Sequence, residues 1–269
     1  MRIGRKLNIV LLESDIVWGD KEANLALLAQ KIDALKNNDV DLVILPELFS
    51  TGFINDEKTN YDELAEKNTG DTIRLLSQLA KKYHIAIIGS FIAKTLNHYY
   101  NRCFFIEPTG DDTFYDKRHL FSMADENKYF TAGSSLPKVI RFRGWNIMPI
   151  VCYDLRFPAW CRNINNKYDL LVVVANWPKA REYSWKQLLI ARSIENECYV
   201  CGVNRTGTDE NAIEYPLHSS MVIDFKGKEL PLNEINGNMY ECNLDIESLI
   251  NFREKFPVWE DADKFKITI

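Results

Sequence analysis

One stretch constrains the fold of this 269-residue chain more than any other. It is YDLLVVVAN, residues 168–176, whose centre Leu170–Ala175 is the longest uninterrupted apolar run. A strand turns successive side chains to opposite faces, so an unbroken apolar run must be covered on both. The run is far shorter than the ~20 residues a bilayer-spanning helix requires. It reads as a fully buried strand.

Strand and helix patterns alternate on either side of it. LNIVLL, DLVILPE, IAIIGSFI, NRCFFIEP and TFYDK are expected strands, with PTGDD the turn before the last. Asp20 precedes an expected helix with Leu25, Leu28, Ile32 and Leu35 on one face. Thr69 opens another with Ile73, Leu76 and Ala80 inward. Residues 118–137 show no period and are expected to be a long loop. KVIRF and NIMPIVC flank an Arg143-Gly144 turn as a hairpin, and LRFPAWCRNI is a short helix. REYSWKQLLIARSIEN is the clearest helix, its apolar part being Trp185, Leu188, Leu189, Ile190 and Ile194. CYVCGV, SSMVIDF and NMYECNL are later strands before a last helix, IESLINFREKF. No linker, charge run or repeat interrupts the chain, so a single α/β domain over residues 1–269 is expected.

Charge narrows the partners. Lys and Arg number 33 against 38 Asp and Glu, a net charge of −5, and no basic run exceeds two residues. That argues against nucleic acid or an anionic membrane as the main partner. With 46% hydrophobic and 12% aromatic residues, the composition excludes disorder. The start, MRIGRKLNIVLLESD, imitates an export signal, with Arg2, Arg5 and Lys6 before an apolar stretch. That stretch contains Asn8 and meets Glu13, Ser14 and Asp15 at once, whereas a signal needs ~7–15 apolar residues and a small-residue cleavage site. A first strand of a cytoplasmic protein is expected. The six cysteines (Cys103, Cys152, Cys161, Cys198, Cys201 and Cys242) are too few for a disulfide scaffold and are expected to be reduced.

Three polar residues follow strands, where catalytic groups are commonly displayed. Glu47 ends LVILPE, Lys117 follows FYD, and Cys152 follows IMPIV where strand turns into helix. A thiol at a helix start faces unpaired N–H groups that favour thiolate, and the Tyr153 amide can point at a substrate oxyanion. Most free cysteines are small buried hydrophobes, and a lone Glu or Lys is most often in a surface ion pair. The three together form a chemical set: a nucleophile, a carboxylate to carry its proton, and a cation for the oxyanion.

The contexts ILPELFSTGF, FYDKRHLF, VCYDLRFP and ANWP occur in an order that resembles the nitrilase (carbon–nitrogen hydrolase) superfamily, nearly end to end. KRHLFSMADE, VCYDLRFPAWCRN and ARSIENECYV are similar to its bacterial omega-amidase-like branch. The resemblance implies a four-layer α-β-β-α sandwich that pairs into a homodimer, with no metal or organic cofactor. It implies a Glu-Lys-Cys triad of Glu47 as base and acid, Lys117 as oxyanion stabiliser and Cys152 as nucleophile. Glu126 in MADENKYF is the candidate for the family's second glutamate, the alternative being a solvated loop carboxylate. The implied activity is hydrolysis of a small amide through a thioester, 2-oxoglutaramate or 2-oxosuccinamate being the leading substrates. Another amidase or a carbamoylase would use the same triad, and a catalytically silent binding protein could share the fold.

Around this centre, Trp177 either lines the substrate pocket or covers the sheet edge. Arg205 in GVNRTG and Lys179 are the candidates for anchoring a substrate carboxylate, while Arg156 and Asp154 are expected to form a local pair. A papain-like partnership of Cys152 with His119 or His218 is the competing chemistry, with His119 expected to be structural. Cys198 and Cys201 form a CxxC, but within a strand they face opposite ways, which favours packing over redox or zinc chemistry.

Overall fold

The computed structural model of the chain describes residues 6–269, so Arg2 and Arg5 of the signal-like start lie outside the described residues. Apolar alternation sorts the strands into two sheets. The first sheet takes β1 (Lys6–Leu12), β2 (Leu42–Ile44), β3 (Ala86–Thr95), β4 (His98–Ile106) and β5 (Asp112–Asp116). The second takes β6 (Ile140–Phe142), β7 (Trp145–Val151), β8 (Leu170–Ala175) and β9 (Tyr199–Asn204). A hairpin of β10 (Gly207–Thr208) and β11 (Glu214–Tyr215) stands apart. Then β12 (Met221–Ile223) edges the second sheet, and β13 (Asn233–Glu234) and β14 (Met239–Asp245) complete the first.

The strand orders are β13-β14-β1-β2-β3-β4-β5 and β12-β9-β8-β7-β6. Each sheet has a parallel centre, β1-β2-β3 and β7-β8-β9, flanked by antiparallel strands. Parallel strands end on one edge, and that edge carries two of the polar residues singled out above, Glu47 beyond β2 and Cys152 directly after β7, together with Asn176 directly after β8.

The helices are α1 (Lys21–Ala34), α2 (Tyr61–Leu64), α3 (Asp71–Tyr83), α4 (Glu126–Tyr129), α5 (Pro158–Cys161), α6 (Glu182–Asn196) and α7 (Ile246–Lys255). The period of two in β1 shows how the layers form. Leu7, Ile9 and Leu11 join the core shared with β7, β8 and β9, while Val10 and Leu12 pack with Leu28 and Ile32 of α1 and Leu76 and Ala80 of α3. On the far side of the second sheet, Trp185 and Leu189 of α6 press on Gly202 of β9, where any Cβ would come within 2.6 Å of Leu189. The result is the α-β-β-α sandwich. Leu170–Ala175 is entirely buried, covered on both faces.

Several local expectations shift for physical reasons. Asp20 does cap α1, accepting from the Ala23 amide at 2.9 Å. The second helix starts at Asp71 after a Gly70 cap, because the buried Glu66 carboxylate accepts the Thr72 amide at 3.0 Å. The long loop of residues 118–137 contains a 3₁₀ turn, Ser122–Ala124, and the one-turn helix α4. In α6 the inward face is partly polar, with Arg192, Ser193 and Asn196 buried, so Ile194 turns out to solvent. Cys198 lies against the Arg192 carbonyl while Cys201 faces Cys242 of the opposite sheet, so the CxxC thiols point apart. Among the described residues no helix is long and apolar enough to cross a membrane.

Gly133 couples the loop to the site edge. Its amide donates to the Lys117 carbonyl at 2.9 Å, and an added Cβ would lie 2.1 Å from the backbone oxygen of Asp116. Backbone cannot yield as a side-chain tip can, so Gly133→Ala should destabilise the fold at the upper end of the ~1–3 kcal/mol usual for overpacking. Thermal unfolding should show a clear drop in Tm. An unchanged melting curve would mean that the loop is free to withdraw.

Candidate active site

The site is assembled around one buried cation. Lys117 leaves the end of β5 with its carbonyl held by Gly133 and its amide donating to Asn101 of β4 at 2.9 Å. Its side chain is 1% exposed. The ammonium donates to Glu47 Oε1 at 2.8 Å and to both oxygens of Glu126, at 2.8 and 2.9 Å. Burial disfavours the charge, but Glu126 and then Glu47 outweigh it and raise the Lys117 pKa. The lysine is therefore a permanent cation.

Both carboxylates are held by further donors. Asn101 Nδ2 donates to Glu47 Oε1 at 2.7 Å and to Glu126 Oε1 at 3.3 Å, and Ser90 Oγ fixes the amide by donating to Asn101 Oδ1 at 2.9 Å. Asn176 donates its backbone N–H to Glu47 Oε2 at 2.8 Å and its side-chain amide to the Glu47 carbonyl at 3.1 Å. Glu126 opens α4 and accepts the Phe121 amide at 2.6 Å. Glu126 is fully buried, not a solvated loop residue, and burial together with Glu47 raises its pKa against the pull of Lys117.

Cys152 occupies the bend between β7 and a short 3₁₀ turn, Cys152–Arg156, with φ at +45°. A non-glycine residue there is strained and stays only where its surroundings over-determine it. Asp154 supplies much of that determination. It accepts from the Val151 amide at 3.2 Å, the Tyr115 hydroxyl at 2.8 Å and the His119 amide at 3.0 Å, and it meets His119 Nδ1 at 2.7 Å. From α6, Arg192 donates twice to the Leu155 carbonyl, at 3.1 and 2.7 Å. The thiol lies 4.0 Å from the Asn176 carbonyl.

The helix start does not activate this thiol in the resting state. A turn of five residues carries little dipole, whereas burial pushes the Cys152 thiol well up, the Glu47 charge adds to it, and Lys117 only partly opposes. The resting group is a neutral thiol beside a carboxylate.

These groups form the floor of a cavity of about 330 Å³. Glu47, Lys117, Cys152, Tyr153 and Trp177 all line it, whereas Glu126 reaches it only through Lys117. Trp177 is fixed there by its amide donating to Asn204 Oδ1 at 2.7 Å and its indole N–H to the Arg181 carbonyl at 2.8 Å.

Neither expected anchor reaches the cavity. Lys179 is exposed and paired with Glu214 at 2.8 Å. Arg205 is wholly buried behind Tyr215, its guanidinium 4.6 Å from that ring and 3.4 Å from Asp15. The cations that do line the wall are Arg156 and Arg181. Arg156 is therefore not the partner of Asp154: it lies over Trp177 at 5.0 Å and donates to Ser184 Oγ at 3.1 Å. No histidine lines the cavity. His119 stacks on Phe157 at 3.7 Å, and His218 meets the Tyr240 hydroxyl, so a Cys–His pair does not form. Asn101, Ser90 and Asn176 were missed by sequence reasoning, although Asn176 stands within the singled-out ANWP.

The carbon–nitrogen hydrolase family model matches residues 6–245. The chain is 40% identical to the omega-amidase YafV of Escherichia coli K12 over 97% of its own length and 98% of that protein's. It is 32% identical to the 2-oxoglutaramate amidase of Bacillus subtilis, over 96% and 98%. A CN-hydrolase superfamily protein from Xanthomonas campestris superposes with a TM-score of 0.91 at 36% identity, covering 98% and 99% of the two chains. This chain belongs to the carbon–nitrogen hydrolase family.

The raised thiol pKa has a measurable consequence. Cys152 is half-buried while the other five thiols are buried, so iodoacetamide should label it first. The folded pKa lies above the ordinary thiol value, so the thiolate fraction stays small at neutral pH and grows with each unit. The labelling rate at Cys152, followed by peptide mapping, should keep climbing through pH 9. A rate that levels off below pH 8 would show a stabilised thiolate instead.

Proposed function

We propose that the chain is an omega-amidase, hydrolysing the terminal amide of a small dicarboxylic acid, 2-oxoglutaramate or 2-oxosuccinamate, to the acid and ammonia. The observation that carries this is Lys117 bridging Glu47 and Glu126 beside a half-buried thiol at the floor of the cavity. The nearly full-length likeness to omega-amidase YafV and to a 2-oxoglutaramate amidase supports the substrate class.

In this reading Cys152 Sγ attacks the amide carbon as its proton passes to Glu47, so no free thiolate is needed. The carbonyl oxygen becomes an oxyanion held by Lys117 and the Tyr153 N–H. Glu47 returns the proton to the departing nitrogen, the C–N bond breaks, and ammonia leaves a thioester on Cys152. Water then attacks the thioester, Glu47 takes its proton, and the thiol is restored as the acid departs. Glu126 holds Lys117 in place. The chain works as one carbon–nitrogen hydrolase domain over residues 1–269, as a homodimer in the cytoplasm, and sedimentation would test the pairing.

An ammonia-release screen over omega-amides, short neutral amides, ureido acids and nitriles tests the proposal. The 2-oxo omega-amides should be hydrolysed far better than butyramide, and equal rates would sink the omega-amidase reading. Release of carbon dioxide from ureido acids would point to a carbamoylase. Cys152→Ala should lose essentially all turnover while remaining folded. Glu47→Gln should slow chemistry by ~100-fold or more, the scale of lost general-base catalysis, and Lys117→Met should act likewise through the oxyanion. Near-normal activity in either would dismiss the triad.

A further inference from the structure

The two oxyanion donors of the proposed mechanism come from two segments, and those segments are joined to each other outside the cavity. Lys117 is followed by Arg118, His119, Leu120 and Phe121, whereas Tyr153 belongs to the turn Cys152–Arg156 that ends at Phe157. His119 stacks on Phe157 with ring centroids 3.7 Å apart, and Trp160 meets it edge-on at 5.1 Å. Phe121 meets Tyr153 at 5.0 Å, and Tyr153 meets Phe157 edge-on at 5.2 Å. The polar half of the joint is Asp154, which is completely buried. Its Oδ2 accepts from the Val151 amide and the Tyr115 hydroxyl, so it holds the bend at Cys152 without His119. Both bonds to its Oδ1 come from His119, from the amide at 3.0 Å and from Nδ1 at 2.7 Å. A carboxylate ringed by donors only accepts, which places the imidazole hydrogen on Nδ1.

We infer that His119 is a positioning residue for the oxyanion: its Nδ1–H bond to Asp154 locks the segment leaving Lys117 onto the turn that presents the Tyr153 amide. The separation of the two donors is thereby fixed. The inference rests on the amide-hydrolysis reading, in which those two groups share the oxyanion. His119 itself lines no part of the cavity and so acts through others. Oxyanion donors are effective because they are in place before the charge develops and need no reorganisation at that moment. The Lys117 ammonium is held at its tip by Glu47 and Glu126. The Tyr153 amide is backbone and is aimed only by the turn that carries it. Removing the Nδ1 donor leaves a buried carboxylate oxygen with one bond in place of two, an under-satisfied charge that the joint relieves only by shifting.

The test compares His119→Asn, whose carboxamide nitrogen can take the place of Nδ1, with His119→Phe, which keeps a ring for the stack and has no donor. Both tetrahedral species of the proposed mechanism place charge on the same oxygen, so kcat and kcat/KM for 2-oxoglutaramate should fall together in His119→Phe, with KM little changed. The expected fall is about 10- to 100-fold, the upper figure being the scale of a misplacement of about 1 Å. His119→Asn should keep most of kcat. Alkylation of Cys152 by iodoacetamide builds no oxyanion, so its rate should be the same in both variants and in the unaltered enzyme. Where His119→Phe does not fold, His119→Gln takes its place, since its donor sits one bond further out, and it should fall below His119→Asn. Equal kcat in His119→Asn and its comparator, or a loss confined to KM, would overturn the inference. So would alkylation that slows in step with kcat, because Cys152 itself would then have moved. In each of these cases the omega-amidase reading stands on its own substrate screen. An unaltered enzyme that ignores 2-oxoglutaramate but hydrolyses another amide would dismiss the omega-amidase reading, and the same variants would decide the role of His119 on that amide. One that hydrolyses no amide would remove both.

Discussion

The ammonium of Lys117, 1% exposed and shared between Glu47 and Glu126, is the interaction on which the site depends. A lone buried cation is costly, and removing one partner of a buried pair commonly costs about 3–5 kcal/mol because the other charge is left uncompensated. Both carboxylates must therefore be delivered within 3 Å of one nitrogen, by different elements. Glu47 comes from beyond β2, Lys117 from the end of β5, and Glu126 from the first position of α4. Asn101 in β4 touches both carboxylates and so ties the strands to each other. Parallel strand ends are the natural place for such convergence, since they open on one edge of the sheet.

The same cluster governs the thiol. One cation against two anions cannot offset a third negative charge, and burial adds to that cost, so Cys152 rests protonated. In the proposed mechanism, competence then lies in the proximity of an acceptor, not in a preformed thiolate. That mechanism couples sulfur attack to proton loss, with the carboxylate that makes thiolate unfavourable as the proposed acceptor. The strained bend at Cys152, held by Asp154 and Arg192, fixes that geometry before substrate arrives.

Most of the sandwich was legible because apolar runs and their alternation determine which faces are covered. Leu170–Ala175 could only be central, and Glu47, Lys117 and Cys152 each follow a strand that the pattern locates. The arginines were not legible, for a reason visible in β9. Arg205 follows Asn204 directly, and with a period of two it points away from the side on which Asn204 holds Trp177. It enters the space behind Tyr215 instead. Position just after a strand is readable in sequence, but the direction of a side chain beyond it depends on the local backbone, as the +45° φ of Cys152 illustrates. Glu66 capping α3 from five residues upstream of its first residue is hidden for the same reason.

The cavity is bounded by two kinds of structure. Glu47, Lys117, Cys152, Asn101 and Asn176 sit within strands or just beyond their ends. Arg181 stands on the separate turn Lys179–Arg181 and is exposed, and the β10-β11 hairpin likewise stands apart, while Arg156 closes the same 3₁₀ turn that Cys152 opens. Among the described residues, the Lys179–Arg181 turn and the β10-β11 hairpin supply no hydrogen bond to Glu47, Glu126 or Lys117. One connection crosses the divide: Phe121 lies under Arg181 with its ring and donates to Glu126 with its amide. Through that residue the turn that carries Arg181 is in contact with Glu126, the carboxylate that holds Lys117.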